Sequence, residues 1–143
     1  MKNKYTSGSL EETQKIARDL AAKIKIGDVI TLSGDLGVGK TAFAEGFITA
    51  LNPDVSSVTS PTFNLVKIYD TANFPVWHFD LYRLKSPEEI YELGIEDALH
   101  SGVSLIEWAE IATDFLPKNH IKVEMTFASS PLDTRVISIT HTE

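Results

Sequence analysis

Apolar residues recur at helical spacing just after the start of the chain. Ser9 and Glu12 have the spacing of a capping box, in which each side chain satisfies a backbone amide at the beginning of a helix. The apolar positions behind them predict an amphipathic helix that runs to about Lys25, and they are Ile16, Ala17, Leu20, Ala21 and Ile24. Gly27 and Asp28 then end this helix.

The next apolar run is short and rich in β-branched residues, so residues 29–32 are predicted to form a buried strand. A second helix follows, and its inner face carries Phe43, Ala44, Phe47, Ile48 and Leu51. Pro53 ends that helix, because proline cannot continue it. Between this strand and this helix lies a glycine-rich loop, residues 34–41.

The rest of the chain is predicted to form mostly strands. A turn at residues 70–73 suggests that the first two of them form a hairpin. Ser86 and Glu89 form a second capping box, with Pro87 at the first helical position, and predict a short helix through Leu93. The predicted strands are residues 63–69, 76–82, 103–108, 121–127 and 135–140. We therefore predict a single α/β domain over residues 1–143, a P-loop NTPase-like mixed, mostly parallel sheet flanked by helices.

Composition narrows the function. The 143 residues are 43% hydrophobic and 23% charged, as in ordinary globular proteins, and contain no cysteine for disulfides, thiolate metal sites or nucleophiles. Neither a secretory signal nor a membrane-spanning run is visible, so we expect a cytoplasmic protein with no membrane partner. The net charge of −7 disfavours direct, tight binding of RNA or DNA. Any role near nucleic acid is expected to be relayed through a protein partner.

The glycine-rich loop matches the phosphate-binding pattern G-x-x-x-x-G-K-[ST] through Gly34, Gly39, Lys40 and Thr41. The glycines let successive backbone amides point at phosphate oxygens, and the following helix adds the positive end of its dipole. Lys40 would reach the β- and γ-phosphates, and the Thr41 hydroxyl would bind Mg²⁺. The candidate nucleotide-binding residues of the loop are Gly34, Asp35, Leu36, Gly37, Val38, Gly39, Lys40, Thr41 and Ala42.

A hydrolytic phosphate site also needs carboxylates to hold the metal and to orient the attacking water. Two acids stand at predicted strand ends, Asp80 after residues 76–79 and Glu107 after residues 103–106. Together with Lys40 they are the candidate catalytic residues. Their spacing leaves open which of the two acids contacts the metal.

Three further positions have two interpretations each. Ser60-Pro61-Thr62 lies where P-loop GTPases keep a switch segment, but it could equally be a turn stabilised by hydroxyl-to-backbone bonds. His78 alternates with Asp80 and shares its face, and a hydrogen-bonded core histidine is favoured over a catalytic one. For Trp108, packing is favoured over ligand contact.

Several motifs occur in order: GDLGVGKT at 34–41, SPTF at 60–63, HFDLYR at 78–83 and IEW at 106–108. Together they resemble the TsaE family, formerly YjeE, of bacterial P-loop ATPases needed for threonylcarbamoyladenosine (t6A) modification of tRNA. The resemblance runs from about Tyr5 to Thr140. It implies ATP or ADP and Mg²⁺ as cofactors and the TsaB and TsaD proteins as partners. It further implies that TsaD transfers the threonylcarbamoyl group, that ATP hydrolysis resets the complex, and that tRNA is contacted only through this complex.

The same resemblance implies roles for single residues. Thr41 and Glu107 would bind Mg²⁺, and Asp80 would lie near the γ-phosphate. Ser9 and Arg135 fall where nucleotide contacts are expected, although a helix cap and a surface arginine are equally good interpretations, and Thr62 is a further candidate. The chain departs from the family in two places. Ala42 replaces a common second threonine, and Val38 replaces the usual alanine.

Two other functions use the same loop. A small-molecule or nucleotide kinase would clamp the transferring phosphoryl group with several arginines, but this chain has only Arg18, Arg83 and Arg135. A nucleotide sensor would bind without appreciable hydrolysis. The N-K-x-D motif with which GTPases read guanine is absent, so the resemblance favours adenine.

Overall fold

The computed structural model describes residues 2–35, 37–55, 57–59, 61, 64–128 and 134–142. Within these residues seven strands form one sheet in the order β1-β7-β6-β2-β5-β4-β3. The strands are β1 (Lys2–Ser7), β2 (Val29–Gly34), β3 (Val66–Tyr69), β4 (Val76–Asp80), β5 (Val103–Glu107), β6 (Ile121–Phe127) and β7 (Arg135–His141). The strand that leads into the glycine-rich loop, β2, therefore lies in the middle of the sheet.

The sheet is mixed. Its central strands β6, β2, β5 and β4 run parallel to one another. The antiparallel pairs lie towards the edges, β3 with β4 on one side and β7 with both β6 and β1 on the other. β1 is antiparallel to β7, and β7 is antiparallel to β6, so β1 has the same direction as the four central strands. Five of the seven strands therefore point in one direction. This arrangement confirms the predicted mixed, mostly parallel α/β sheet.

Helices cover both faces of the sheet. The three α-helices are α1 (Leu10–Ala21), α2 (Lys40–Leu51) and α3 (Ile95–Ser101), and two 3-10 helices span Pro87–Tyr91 and Ala109–Phe115. On one face α1 and α2 bury a core that includes Leu20, Phe43, Phe47, Leu32 and Leu105. On the other face α3 and the 3-10 helices bury a second core that includes Ile90, Ile95, Ala98, Phe79 and Ile106. No helix in the described part of the chain is long and apolar enough to cross a membrane.

Most predicted elements are present, with shifted ends. The β3–β4 hairpin forms, but β4 stops at Asp80 and β5 stops at Glu107, each before its predicted end. The helix α1 ends at Ala21 rather than near Lys25. The helix predicted after Ser86 is a 3-10 helix, in which the Glu89 carboxylate accepts the Ser86 amide at 2.9 Å.

One strand, β1, was not predicted. Its sequence KNKYTS has no apolar alternation, and five of its six residues are exposed. It exists because its backbone pairs along its whole length with β7, from Lys2 opposite Thr140 to Ser7 opposite Arg135. That pairing has a consequence for the site, since it brings the chain just before α1 next to the beginning of β7.

Candidate functional site

The glycine-rich loop leaves the sheet at Gly34, the last residue of β2, and enters α2 at Lys40. Gly34 has a φ of +150°, and a Cβ atom added there would lie 2.5 Å from the carbonyl oxygen of Met125 in the adjacent strand β6. Only glycine allows so close an approach. The loop is thus held against the carboxyl end of the parallel strands, the edge at which open α/β sheets bind ligands.

Within the loop, backbone bonds close a turn and start the helix. The Val38 amide donates to the Asp35 carbonyl at 3.1 Å, and the Phe43 amide donates to the Gly39 carbonyl at 2.9 Å. Val38 is fully buried, so its side chain anchors the loop in the core. The Val38 side chain therefore points away from solvent. Leu36 lies outside the described residues.

The lysine of the loop lies against an exposed tryptophan. The Lys40 Nζ atom is 5.2 Å from the centroid of the Trp108 ring, within the range of a cation–π contact. The Trp108 side chain is 43% exposed and also packs against Tyr82, with ring centroids 4.9 Å apart. Lys40 and Trp108 line a small cavity of about 50 Å³ together with Gly34 and Glu110. Trp108 thus packs against two protein side chains, Tyr82 and Lys40, and the choice between packing and ligand contact stays a prediction.

The two candidate acids are direct neighbours. Asp80 and Glu107 are register partners at the ends of β4 and β5, and Glu107 is in turn opposite Leu32 of β2. Because alternate residues of a strand share a face, Glu107 lies on the same face as Leu105, which is buried under α1 and α2. Both acids are buried, at 3% and 4% exposure. The two carboxylates thus lie on the face of the sheet that α2 covers, next to the strand that carries the loop.

Each carboxylate is held by a different kind of partner. The Oδ1 atom of Asp80 accepts the Tyr82 backbone amide at 3.1 Å. The Oε2 atom of Glu107 faces His78 Nε2 at 2.8 Å, with the histidine side chain fully buried. His78 is therefore a hydrogen-bonded core residue, as favoured from the sequence, and its partner is the candidate metal ligand.

Ser9 and Arg135 meet at a second cavity, of about 250 Å³. Its lining consists of Gly8, Ser9, Leu10, Thr13, Val38, Gly39, Ala42 and Arg135. Ser9 caps α1 as predicted, since its Oγ atom accepts the Glu12 amide at 3.1 Å and Glu12 Oε2 accepts the Gly8 amide at 2.9 Å. Ala42 lines the same cavity.

Arg135 is more than a surface arginine. Its Nε donates to the carbonyl of Val38 at 3.1 Å, and its guanidinium carbon lies 4.6 Å from the centroid of the Phe127 ring. The first residue of β7 therefore braces the middle of the phosphate loop. Sequence reasoning could not find this contact, because 97 positions separate the two residues.

The residues present also fit a divalent cation. Thr41 is exposed in the first turn of α2, and Glu107 supplies a carboxylate, so both offer the oxygen ligands that Mg²⁺ prefers. Among the described residues there is no cluster of three or more histidine, cysteine, aspartate or glutamate side chains that could hold a metal alone. Mg²⁺ commonly takes its remaining ligands from phosphate oxygens and water. Ser60 and Thr62 lie outside the described residues.

A central strand that enters a helix through G-x-x-x-x-G-K-T, with carboxylates at the ends of the neighbouring strands, defines the class: a mixed α/β protein of the P-loop type. The family model described as "Threonylcarbamoyl adenosine biosynthesis protein TsaE" matches residues 7–137. The chain belongs to this TsaE family.

Curated relatives and a solved structure agree with this assignment. The TsaE protein of Rickettsia bellii is 47% identical over 133 residues, which are 93% of this chain and 91% of the relative. The TsaE protein of Bacillus subtilis is 39% identical over 138 residues, 96% of this chain and 84% of the relative. The crystal structure of YdiB from Bacillus subtilis superposes with a TM-score of 0.81 at 35% identity, over 100% of this chain and 87% of that one.

Proposed function

We propose that this protein binds ATP or ADP with Mg²⁺ at the phosphate loop and hydrolyses ATP in the service of t6A formation in tRNAs that read codons beginning with adenine. The relatives are named tRNA threonylcarbamoyladenosine biosynthesis proteins, which supports the pathway. We further propose that the whole chain acts as one ATPase domain in the cytoplasm.

One observation carries the hydrolytic part of the proposal. The loop leaves β2 at Gly34, and the ends of the next two strands along the sheet present Glu107 and Asp80 side by side. Bound phosphates would therefore have backbone amides and Lys40 on one side and two carboxylates on the other. A protein that only held phosphate would have no need for two buried acids there, since negative charges repel a phosphate.

Each residue has a distinct task in this proposal. The loop amides and Lys40 would hold the phosphates, while the Thr41 hydroxyl and Glu107 would bind Mg²⁺, which when bound offsets the charge that develops on the phosphoryl oxygens. Asp80 would accept a hydrogen bond from the attacking water. The hydrogen bond from the Tyr82 backbone amide fixes the orientation of the Asp80 carboxylate.

The cavity between Ser9 and Arg135 is the proposed place of the nucleoside. It begins at Gly39 and Ala42, directly beside the loop, and Val38 and Leu10 give it apolar walls. Its volume of about 250 Å³ is of the order needed for part of a nucleoside. Ser9 already accepts the Glu12 amide, so in this position it could still donate its hydroxyl hydrogen to a ligand.

TsaB and TsaD are the proposed partners, with hydrolysis resetting their complex rather than transferring the threonylcarbamoyl group. A net charge of −7 supports docking on protein rather than directly on tRNA. A kinase is not favoured, because the chain has only three arginines and Arg18 lies in the last turn of α1, outside the loop. That leaves few arginines to clamp a transferring phosphoryl group.

An ATPase assay with and without TsaB, TsaD and tRNA tests the proposal. We expect low activity of the chain alone and stimulation by the complete set of partners. Lys40→Ala should weaken nucleotide binding by about 10- to 100-fold, the loss of a charge-assisted contact. Glu107→Ala should spare binding in the absence of metal and abolish turnover. Unstimulated activity, with phosphate appearing on a small acceptor, would mean that the protein is a kinase.

A further inference from the structure

The face of the sheet under α2 contains one buried imidazole, that of His78, among the described residues. Its side chain is 0% exposed, and the side chain of its partner Glu107 is 5% exposed. The contact joins Nε2 to Oε2 at 2.8 Å, the length of a strong hydrogen bond to a carboxylate. The two residues come from adjacent strands, β4 and β5, that run parallel.

The proton of this bond can be assigned. An ionised carboxylate only accepts, so His78 Nε2 must carry the hydrogen. Nδ1 is buried and has no hydrogen-bond partner among the described residues. A second proton on that nitrogen would bury a charged N–H group without an acceptor, which is costlier than burying a lone pair. The tautomer with the hydrogen on Nε2 therefore fits this geometry, with Glu107 as the acceptor.

The two acids differ in how they are oriented. Asp80 accepts a hydrogen bond from the main-chain amide of Tyr82, which replacement of the Tyr82 side chain by any residue except proline would keep. Glu107 is held through a side chain, since His78 Nε2 bonds its Oε2 atom. Removing the imidazole would let the carboxylate rotate while leaving its charge in place.

We propose that His78 is the positioning residue of Glu107: its Nε2–H group fixes one carboxylate oxygen so that the other is presented to Mg²⁺ or to its bound water. The inference rests on the proposed function, and it adds a residue to the site that touches neither nucleotide nor metal. Partners that hydrogen-bond a metal ligand in this way commonly change metal affinity by about 10- to 100-fold when removed.

The test compares His78→Leu, which removes the donor, with His78→Gln, whose amide can place an N–H group near the same position. Nucleotide affinity is measured first in a chelator and then over a magnesium titration. We expect His78→Leu to keep the metal-free affinity and to need about tenfold more Mg²⁺ for half-maximal effect. His78→Gln should recover most of this loss. His141→Leu, at an exposed position at the end of β7, is the matched control and should behave as wild type.

A second measurement needs neither nucleotide nor metal. Nitrogen NMR of the wild-type protein labelled at histidine should show a hydrogen on His78 Nε2 and none on Nδ1, and this readout does not depend on whether any variant folds. A hydrogen on Nδ1 alone, or a folded His78→Leu variant with wild-type magnesium dependence, would overturn the proposal while leaving the ATPase function intact. Wild-type protein without magnesium-dependent nucleotide binding would instead overturn the proposed function, and with it this role of His78.

Discussion

Trp108 has a backbone φ of +59°, a left-handed conformation that non-glycine residues seldom adopt. Such conformations cost of the order of 1–3 kcal/mol and persist where the surroundings enforce them, often at functional sites. Here the conformation ends β5 directly after Glu107 and turns the indole ring towards Lys40. Trp108 thus connects the end of β5, where Glu107 lies, to Lys40 of the phosphate loop.

The first prediction concerns this contact. When phosphate binds, the Lys40 ammonium should leave the ring for the stronger charge of the phosphate oxygens, so the emission of Trp108 should change. The chain has two tryptophans, which makes the assignment simple. Trp108→Phe should abolish the nucleotide-dependent change in fluorescence, and Trp77→Phe should retain it. A change that survives in Trp108→Phe would contradict the expected movement of Lys40.

The second prediction concerns the close approach at Gly34. In Gly34→Ala the new methyl group would meet the Met125 carbonyl at 2.5 Å and the Val38 side chain at 2.8 Å, so the loop must move. We expect a lower melting temperature and a loss of nucleotide binding.

Gly37→Ala is the matched control for this substitution. A Cβ atom there meets nothing within 4 Å, although its φ is +80°. This substitution should therefore lower the free energy of unfolding only by the backbone strain, about 1–2 kcal/mol. Equal destabilisation of the two variants in thermal melts would show that contact with β6 is unimportant.

At the scale of elements, local sequence patterns predicted the secondary structure around the site well. The strand, loop and helix around Lys40 follow from spacing alone, and so does the position of Asp80 and Glu107 at the ends of two strands. These features depend on residues close together in the chain. The capping box of Ser9 and Glu12 is of the same kind, and it forms as predicted.

The features that could not be predicted from the sequence depend on pairing between residues that are far apart in the chain. β1 is polar and exposed, and its partner strand β7 lies more than a hundred positions later. The bond between His78 and Glu107 spans 29 positions and requires that β4 and β5 be neighbours in the correct register. Strand order is a property of the whole sheet, so no local pattern could supply either contact. The interpretation of residues 60–62 as a switch stays a prediction.

The third prediction tests the brace between β7 and the loop. Arg135→Lys keeps the charge but removes the Nε–H group that bonds the Val38 carbonyl. We expect nucleotide affinity to fall several-fold and hydrogen exchange of the loop amides to accelerate. Arg18→Lys, an exposed change in the last turn of α1, is the control and should alter neither quantity. If loop exchange is unchanged in Arg135→Lys, the brace does not order the loop.

At the scale of the whole molecule, the net charge opposes the binding of a polyanion, whereas the groups around the loop favour it. The proposed site offers loop amides, Lys40 and Arg135 to a polyanion, whereas the chain as a whole carries 20 acidic residues against 13 basic ones. The attraction is therefore local to the loop. A long polyanion such as tRNA would meet the net negative surface over most of its length, and a nucleotide would not.

The fourth prediction follows from this contrast. Alone, the protein should bind tRNA more weakly than about 10⁻⁴ M at physiological salt, the weak end of non-specific nucleic-acid binding. With TsaB and TsaD present, it should enter a tRNA-containing complex, and that entry should depend on nucleotide. Mobility-shift titrations measure both, with Lys40→Ala as the variant that retains the protein surface but loses the phosphates. Tight binding of tRNA by the protein alone, weakening steeply with added salt, would show that a basic surface overrides the net charge. The role of the partners would then have to extend beyond bringing the protein to tRNA.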